Sequence, residues 1–225
     1  MIITIDGPAA SGKSTAARLL ARKLSASFLD TGAMYRAVTL AAMQAHIDMS
    51  DEDKLLDVME KSEFQFSVSD DSMVVCINGL DVTEKMRSPR ITANARHIAS
   101  CPKVRSELIR MQRQFAAGRQ KIVTEGRDQG TVAFPDADIK FYLNADPVVR
   151  AKRRLTDLRA KGIEQSLQQI QKAIEDRDKS DKERTVGPLI PADDAVIIDT
   201  TDLTIEGVVE KLLSFVKGDS HSAKS

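Results

Sequence analysis

Cysteine is scarce in this chain: only Cys76 and Cys101 occur among 225 residues. They form neither a disulfide framework nor a C-x-x-C metal motif, so both are expected as buried or half-buried free thiols. Histidine is scarce too, and His46, His97 and His221 are too scattered for a zinc site. There is no excess of either charge, because 33 Lys+Arg face 33 Asp+Glu. That balance argues against a protein that coats nucleic acid through its overall field. No apolar run approaches the ~20 residues of a membrane-crossing helix. Met1-Ile2-Ile3-Thr4-Ile5-Asp6 lacks the basic region and apolar core of a secretory signal, and reads as a first strand. The expected setting is the cytoplasm, with no nucleic-acid partner and no membrane partner. Nothing indicates a long coiled seam or a large exposed apolar stripe, and a monomer is expected.

What the chain has in quantity is an ordinary globular mixture, 42% hydrophobic and 29% charged. Buried-strand patterns at Ile2 to Ile5, Lys121 to Thr124, Ile139 to Leu143 and Ala195 to Ile198 are separated by helical ones. The helical stretches are Lys13 to Leu24, Met34 to Ala45, Lys103 to Ala117, Pro147 to Lys161, Ser166 to Asp178 and Ile205 to Val216. This alternation predicts a parallel sheet covered on both faces. One segment differs: Phe64 to Val68 and Met73 to Ile77 read as strands joined by Ser69-Asp70-Asp71-Ser72. Asn78-Gly79 then turns the chain again before Leu80-Asp81-Val82, which makes a small antiparallel meander inserted in an α/β core. The small, polar stretch 218–225 is expected to fray.

Gly7-Pro8-Ala9-Ala10-Ser11-Gly12-Lys13-Ser14 matches G-x-x-x-x-G-K-[ST], with a strand pattern before it and a helical one after. The glycines let the backbone turn and approach phosphates closely, and the loop amides with the helix N-terminus attract anions. Lys13 can reach the β- and γ-phosphates, and the Ser14 hydroxyl is placed to hold Mg²⁺, the cofactor expected with ATP. The expected ATP contacts are Gly7, Pro8, Ala9, Ala10, Ser11, Gly12, Lys13, Ser14 and the adjoining Thr15. An accidental glycine turn would not bring the lysine, the serine and both flanking elements together. A guanine-reading N-K-x-D and a D-x-x-G switch are both missing, which sets a GTPase aside. A phosphotransferase needs a second anion site facing the first.

Candidates for that site lie in two loops and two late helices. Thr31 in Asp30-Thr31-Gly32-Ala33-Met34-Tyr35-Arg36 reads as an N-cap, with Tyr35 and Arg36 one turn into the helix, able to grip a phosphate. Glu125-Gly126-Arg127-Asp128 follows a strand at the carboxyl edge of the sheet, where open α/β folds bind ligands. There Arg127 can take a phosphate and Asp128 a base amino group. Arg150, Arg153 and Arg154 share one helix face, and so do Arg177, Asp181 and Arg184 if their helix persists that far. Solvated helix faces are the ordinary source of such stripes, but two stripes suit a protein that must neutralise two polyphosphate ends.

The segments ITIDGPAASGKST, LDTGAMYRAV, EGRDQGTVAFPDADIKFYL and DRDKSDKERTVGPLIPADDAVIIDTT resemble the bacterial cytidylate kinase family over the chain to about Val216. The resemblance implies an α/β P-loop three-layer fold with a parallel central sheet, an antiparallel insertion over about 62–90 and a helical lid over about 150–184, all in one kinase domain spanning 1–225. It implies phosphoryl transfer from ATP with Mg²⁺ to CMP or dCMP. Thr31, Tyr35, Arg36, Arg105, Arg127, Asp128, Arg177 and Asp181 are then expected around CMP. Lys13, Arg127, Arg154, Arg177 and Arg184 are expected to neutralise the transferring group. Two departures stand out: Arg96 replaces a small serine that touches cytosine, and Glu125 replaces aspartate. Rival acceptors are UMP, AMP or shikimate, and the rival class is a non-catalytic nucleotide-binding regulator. The latter would have no use for Lys13, Ser14 and two arginine stripes together.

Overall fold

A computed structural model describes residues 1–69, 72–160 and 162–222. β1 (Ile2–Asp6) runs through the glycine loop into α1 (Lys13–Lys23), and β2 (Ser27–Asp30) leads directly into α2 (Thr31–Gln44). α3 (Glu52–Lys61) precedes β3 (Phe64–Ser69), β4 (Ser72–Ile77) and β5 (Leu80–Asp81). A 3-10 turn at Lys85–Arg87 opens onto α4 (Pro89–Ala99) and α5 (Pro102–Ala116). β6 (Ile122–Gly126), a π-type turn at Gln129–Ala133 and β7 (Ile139–Asn144) return to the core. α6 (Pro147–Ala160), α7 (Leu167–Glu183), β8 (Val196–Asp199) and α8 (Ile205–Ser222) complete the described chain. Among the described residues, no helix is long and apolar enough to cross a membrane.

The central sheet has the order β2-β6-β1-β7-β8, and every pair in it is parallel. β1 and β6 are buried along almost their whole length, which is why they read as continuous apolar runs without alternation. One face packs on α1 and α8 through Ile3, Ile5, Leu20, Phe141, Val209 and Leu212. The other carries Met34, Leu55, Val75, Ile98 and Leu108 from α2, α3, β4, α4 and α5. The expected three-layer α/β arrangement is therefore present.

The antiparallel meander forms as its own sheet in the order β3-β4-β5. Ser69 pairs with Ser72 across the first turn, and Asp70 and Asp71 within that turn lie outside the described residues. Asn78 and Gly79 both take positive φ, 51° and 76°, as a tight hairpin turn into β5 requires. β2, α3 and α4 are additions to the elements predicted from sequence. The late helices α6 and α7 form a separate layer around Ala151, Leu158, Ile170 and Ile174, which rests on Ala10 of the glycine loop. α7 starts with a Ser166–Gln169 capping box and persists to Glu183, beyond the predicted end at Asp178. α8 likewise runs to Ser222, through part of the tail expected to fray, and 223–225 lie outside the described residues.

Candidate nucleotide site

The parallel register brings three strand ends to one edge: Ile5 pairs with Glu125 and Asp6 with Gly126, while Asp30 pairs with Glu125 from the other side. The loop Gly7 to Ser14 springs from that edge. Gly7 lies so close to β7 that a Cβ there would strike the Leu143 carbonyl, and Gly12 enters α1 at φ 87°. The Lys13 ammonium is buried and donates to the Pro8 carbonyl at 3.1 Å. Its other neighbour is Glu125, whose Oε2 is 4.0 Å away, while Glu125 Oε1 accepts from the Ser14 hydroxyl at 2.8 Å. Burial pulls Lys13 well below the usual lysine range, and the nearby Arg127 charge adds to it. Burial pushes the Glu125 carboxyl up, opposed by Lys13.

The N-cap of α2 is Asp30 and not Thr31, which corrects the sequence expectation. Asp30 Oδ1 accepts from the Ala33 amide at 2.8 Å, so Thr31 becomes the first helical residue. The Thr31 hydroxyl instead donates to the Glu125 carbonyl at 2.7 Å, joining α2 to the end of β6. Arg36 donates to Asp30 Oδ2 at 3.1 Å and leaves its buried Nε without a hydrogen-bond partner. Arg87, from the 3-10 turn, brings a second guanidinium within 4.0 Å of the same carboxylate.

Opposite this group, Arg105 is 1% exposed, which only paired charge makes tolerable. It donates to the Tyr35 hydroxyl at 3.1 Å and the Ala99 carbonyl at 3.3 Å, and forms an ion pair with Asp128. Arg184 stands 3.8 Å from the other Asp128 oxygen and 4.0 Å from Asp181, and also donates to the Gly187 carbonyl. Arg127 donates to Asp181 Oδ2 at 2.7 Å. Against the effect of burial, Arg127 and Arg177 hold the Asp181 carboxyl below the usual range. Arg177 is exposed on α7, yet crowding by the protein and then the charge of Arg127 lower it to about 10, with Arg36 and Arg154 adding to the effect. It stays a cation at neutral pH. Arg154 is exposed beside it. A cavity of about 400 Å³ opens between α4 and α7, lined by Ser100, Lys179 and Arg184 among others.

These contacts bring the sequence-predicted residues Lys13, Ser14, Thr31, Tyr35, Arg36, Arg105, Arg127, Asp128, Arg177, Asp181 and Arg184 to one edge of the sheet. The arrangement has two sets of cations, one at the glycine loop and one at α2, β6 and α7. Beyond the effect of burial, Arg127 lowers both Lys13 and Arg177 while Asp181 opposes it at both, so the two sets are close enough to influence each other. The other arginine stripe divides. Arg150 is buried against Asp178 at 2.5 Å and donates to the Ala9 carbonyl at 3.2 Å, whereas Arg153 holds Thr200. Sequence reasoning missed the contacts that Asp30, Arg87 and Asp178 make around the candidate site. Asp30 had a signal, an acidic residue three before an amide-bearing first turn; Arg87 had none, because its neighbour is distant in sequence.

The cytidylate kinase family model matches residues 3–218. This chain belongs to the cytidylate kinase family. It is 42% identical to the cytidylate kinase of Lactobacillus gasseri over 217 residues, covering 96% of this chain and 94% of that protein. It is 43% identical to the cytidylate kinase of Bacillus cereus over 216 residues, covering 96% of each. A gluconokinase structure from Sinorhizobium meliloti has a similar fold, with a TM-score of 0.51 and 13% identity over 99% of this chain and 97% of that one. Family membership makes the protein an ATP-using nucleoside monophosphate kinase, so the regulator reading is set aside. Arg96, expected from sequence to stand where a small serine touches cytosine, lies exposed on α4, where its carbonyl accepts from Ser100, one turn on, at 2.9 Å.

Proposed function

We propose that this chain transfers the γ-phosphoryl group of ATP to CMP or dCMP across the cleft between the glycine loop and the Arg36–Arg127–Arg177 group. The observation that carries this reading is the surplus of cations there, including the buried and unpartnered Nε of Arg36. An anion is the missing partner. The donor side is Gly7 to Thr15, with Lys13 turned from the Pro8 carbonyl to the β- and γ-phosphates. Hard oxygen donors at Ser14 and Glu125 fit Mg²⁺, which supplies charge neutralisation at the donor phosphates. On the acceptor side Arg36, Arg127 and Arg177 take the monophosphate, with Thr31 and Asp181 fixing the surrounding framework. Tyr35, Arg105, Asp128 and Arg184 present both hydrogen-bond acceptors and donors to a base with an exocyclic amine and a ring carbonyl, which is cytosine.

The acceptor phosphate needs no strong base, because its second pKa is about 6 and it is already mostly a dianion at neutral pH. Rate enhancement then comes from alignment and from charge placed around the transferring group. Lys13, Arg127, Arg154, Arg177 and Arg184 are the residues assigned to that task. α6 and α7 form the element that closes over both substrates and keeps water from acting as the acceptor. The protein works as a cytoplasmic monomer in this reading.

The first test is ADP release with CMP, dCMP, UMP, AMP and no acceptor. Activity confined to CMP and dCMP supports the assignment, and a preference for UMP or AMP overturns it. The Arg177→Ala variant is expected to bind ATP nearly normally and to lose turnover by about 10³ or more, as for other arginines that stabilise transferring phosphate. Unchanged turnover would remove Arg177 from the machinery.

A further inference from the structure

We infer that Gln129 is a positioning residue for the acceptor nucleotide, acting through its buried hydrogen bond to Gln112 on the register in which Arg105 meets Asp128. The inference rests on the acceptor site proposed above, and adds what holds its charged walls in place. Arg105 comes from α5 and Asp128 from the turn after β6, so their meeting depends on how α5 lies against that turn. Arg105, Leu108 and Gln112 fall on one buried face of α5, which puts Gln112 two turns along the same contact. There its Oε1 accepts from Gln129 Nε2 at 3.3 Å. The next residue, Arg113, donates to the carbonyls of Ala133 at 2.8 Å and Val132 at 3.2 Å. The Arg105–Asp128 pair fixes one point of the helix, and these further ties stop it from pivoting there.

Gln129 is itself held from several sides. Its amide donates to Asp6 Oδ1 at 2.9 Å, and its Oε1 accepts from the Thr124 hydroxyl of β6 at 2.9 Å. A Cβ on Gly126 would lie 2.8 Å from its Cγ, so the side chain rests on the backbone just before Arg127. The carbonyls of Asp128 and Gln129 accept from the amides five residues on, at 3.2 Å and 2.7 Å, in a π-type turn of the kind that recurs at functional sites. Gln129 thus follows β1 and β6, which lead into the glycine loop and Arg127, and transmits their position to α5.

Packing alone does not call for two amides here. Gln129 is 2% exposed and Gln112 0%, and Gln112 Nε2 is left without a hydrogen-bond partner. A methionine of similar volume would fill either place without burying an unpaired donor. What it lacks is direction. A hydrogen bond fixes both distance and angle between helix and turn, whereas an apolar contact lets the helix slide.

The test compares Gln112→Met, Gln129→Met and the double variant with the wild-type full chain in steady-state kinetics, with CMP and ATP varied in turn. Each variant is expected to raise KM for CMP about fivefold, the worth of one neutral hydrogen bond, while KM for ATP changes by less than about twofold. The double variant strands no amide, so it should regain the urea stability that the single variants lose and still keep the raised KM for CMP. A folded variant with unchanged KM for CMP, or with equal shifts in both KM values, overturns the inference. A double variant that regains stability and KM together overturns it as well, because the pair then serves the fold alone. Should one variant fail to fold, those that fold decide, and if none folds the inference falls. A wild type that prefers UMP or AMP overturns the CMP reading instead, and KM for that acceptor then judges Gln129.

Discussion

The Asp30 carboxylate gives one oxygen to the Ala33 amide and the other to Arg36, and Arg87 stands 4.0 Å from that second oxygen. One negative charge thus faces two guanidiniums, and the positive surplus points at the proposed acceptor phosphate. Arg87 is 39% exposed, so its contribution is that of a partly screened charge and is smaller than that of Arg36. A charge-assisted bond to phosphate at such a site is worth about 1.5 kcal/mol, which corresponds to about tenfold in affinity. Arg87→Ala is accordingly expected to raise KM for CMP about tenfold while KM for ATP changes by less than about twofold. Arg87→Lys keeps the charge without the planar fork and should recover part of the loss. Steady-state kinetics with each substrate varied in turn checks this, and equal effects on both KM values would place Arg87 outside the acceptor site. Arg87 comes from the 3-10 turn that follows β5, so that turn supplies a charge beside Asp30.

Helices α6 and α7 depend on each other through Arg150 and Asp178, whose side chains are 5% and 10% exposed and meet at 2.5 Å. The same pair touches the glycine loop, since Asp178 accepts from the Ala9 amide at 3.4 Å and Arg150 donates to the Ala9 carbonyl. Removing one partner of a buried pair strands the other charge at a cost of about 3 kcal/mol. Asp178→Ala should therefore lower the unfolding free energy by roughly that amount, whereas Asp178→Ala with Arg150→Met should regain most of it. Denaturant unfolding of the four members of that cycle decides the point, and additive losses would mean the pair is not coupled. Such coupling was invisible in the sequence, where Arg150 registered only as part of a basic stripe. The long apolar strands and the glycine loop were legible because burial on both faces and a fixed motif leave marks over consecutive residues. α3 and α4 were not, because each buries only two side chains, Leu55 with Met59 and Ile91 with Ile98. Their clearest local signals were the caps, Asp51 bonded to the Lys54 amide and Ser88 to the Ile91 amide just before Pro89. β2 escaped notice because only four residues separate the end of the preceding loop from α2. The anion site was legible as residue types, and the sharing of Asp30 by two arginines was not, since it depends on how the insertion folds back.

At the scale of the whole molecule, Asp6 joins the two halves of the site. It ends β1, immediately before the glycine loop, and its two oxygens accept from the Gln129 amide at 2.9 Å and the Gly130 amide at 2.8 Å, which follow Arg127 and Asp128. The proposed donor and acceptor sides are thereby registered through a single buried carboxyl. Burial outweighs those two hydrogen bonds and raises its pKa from 3.8 to about 6. The native state therefore holds the Asp6 proton more tightly than the unfolded chain does. Its favourable contribution is complete below the unfolded value near 4 and is lost as pH rises through about 6. The difference between the two values corresponds to a cost on the order of 3 kcal/mol once the group is ionised. Carboxyls held below the usual range, such as Asp181, act in the opposite sense and lose stability as pH falls. Comparison with Asp6→Asn cancels those other groups. The stability of the wild type relative to Asp6→Asn is expected to fall by on the order of 3 kcal/mol between pH 4 and pH 7, measured by urea unfolding of both proteins. Parallel stability curves would show that Asp6 titrates alike in both states, and that burial does not raise its pKa.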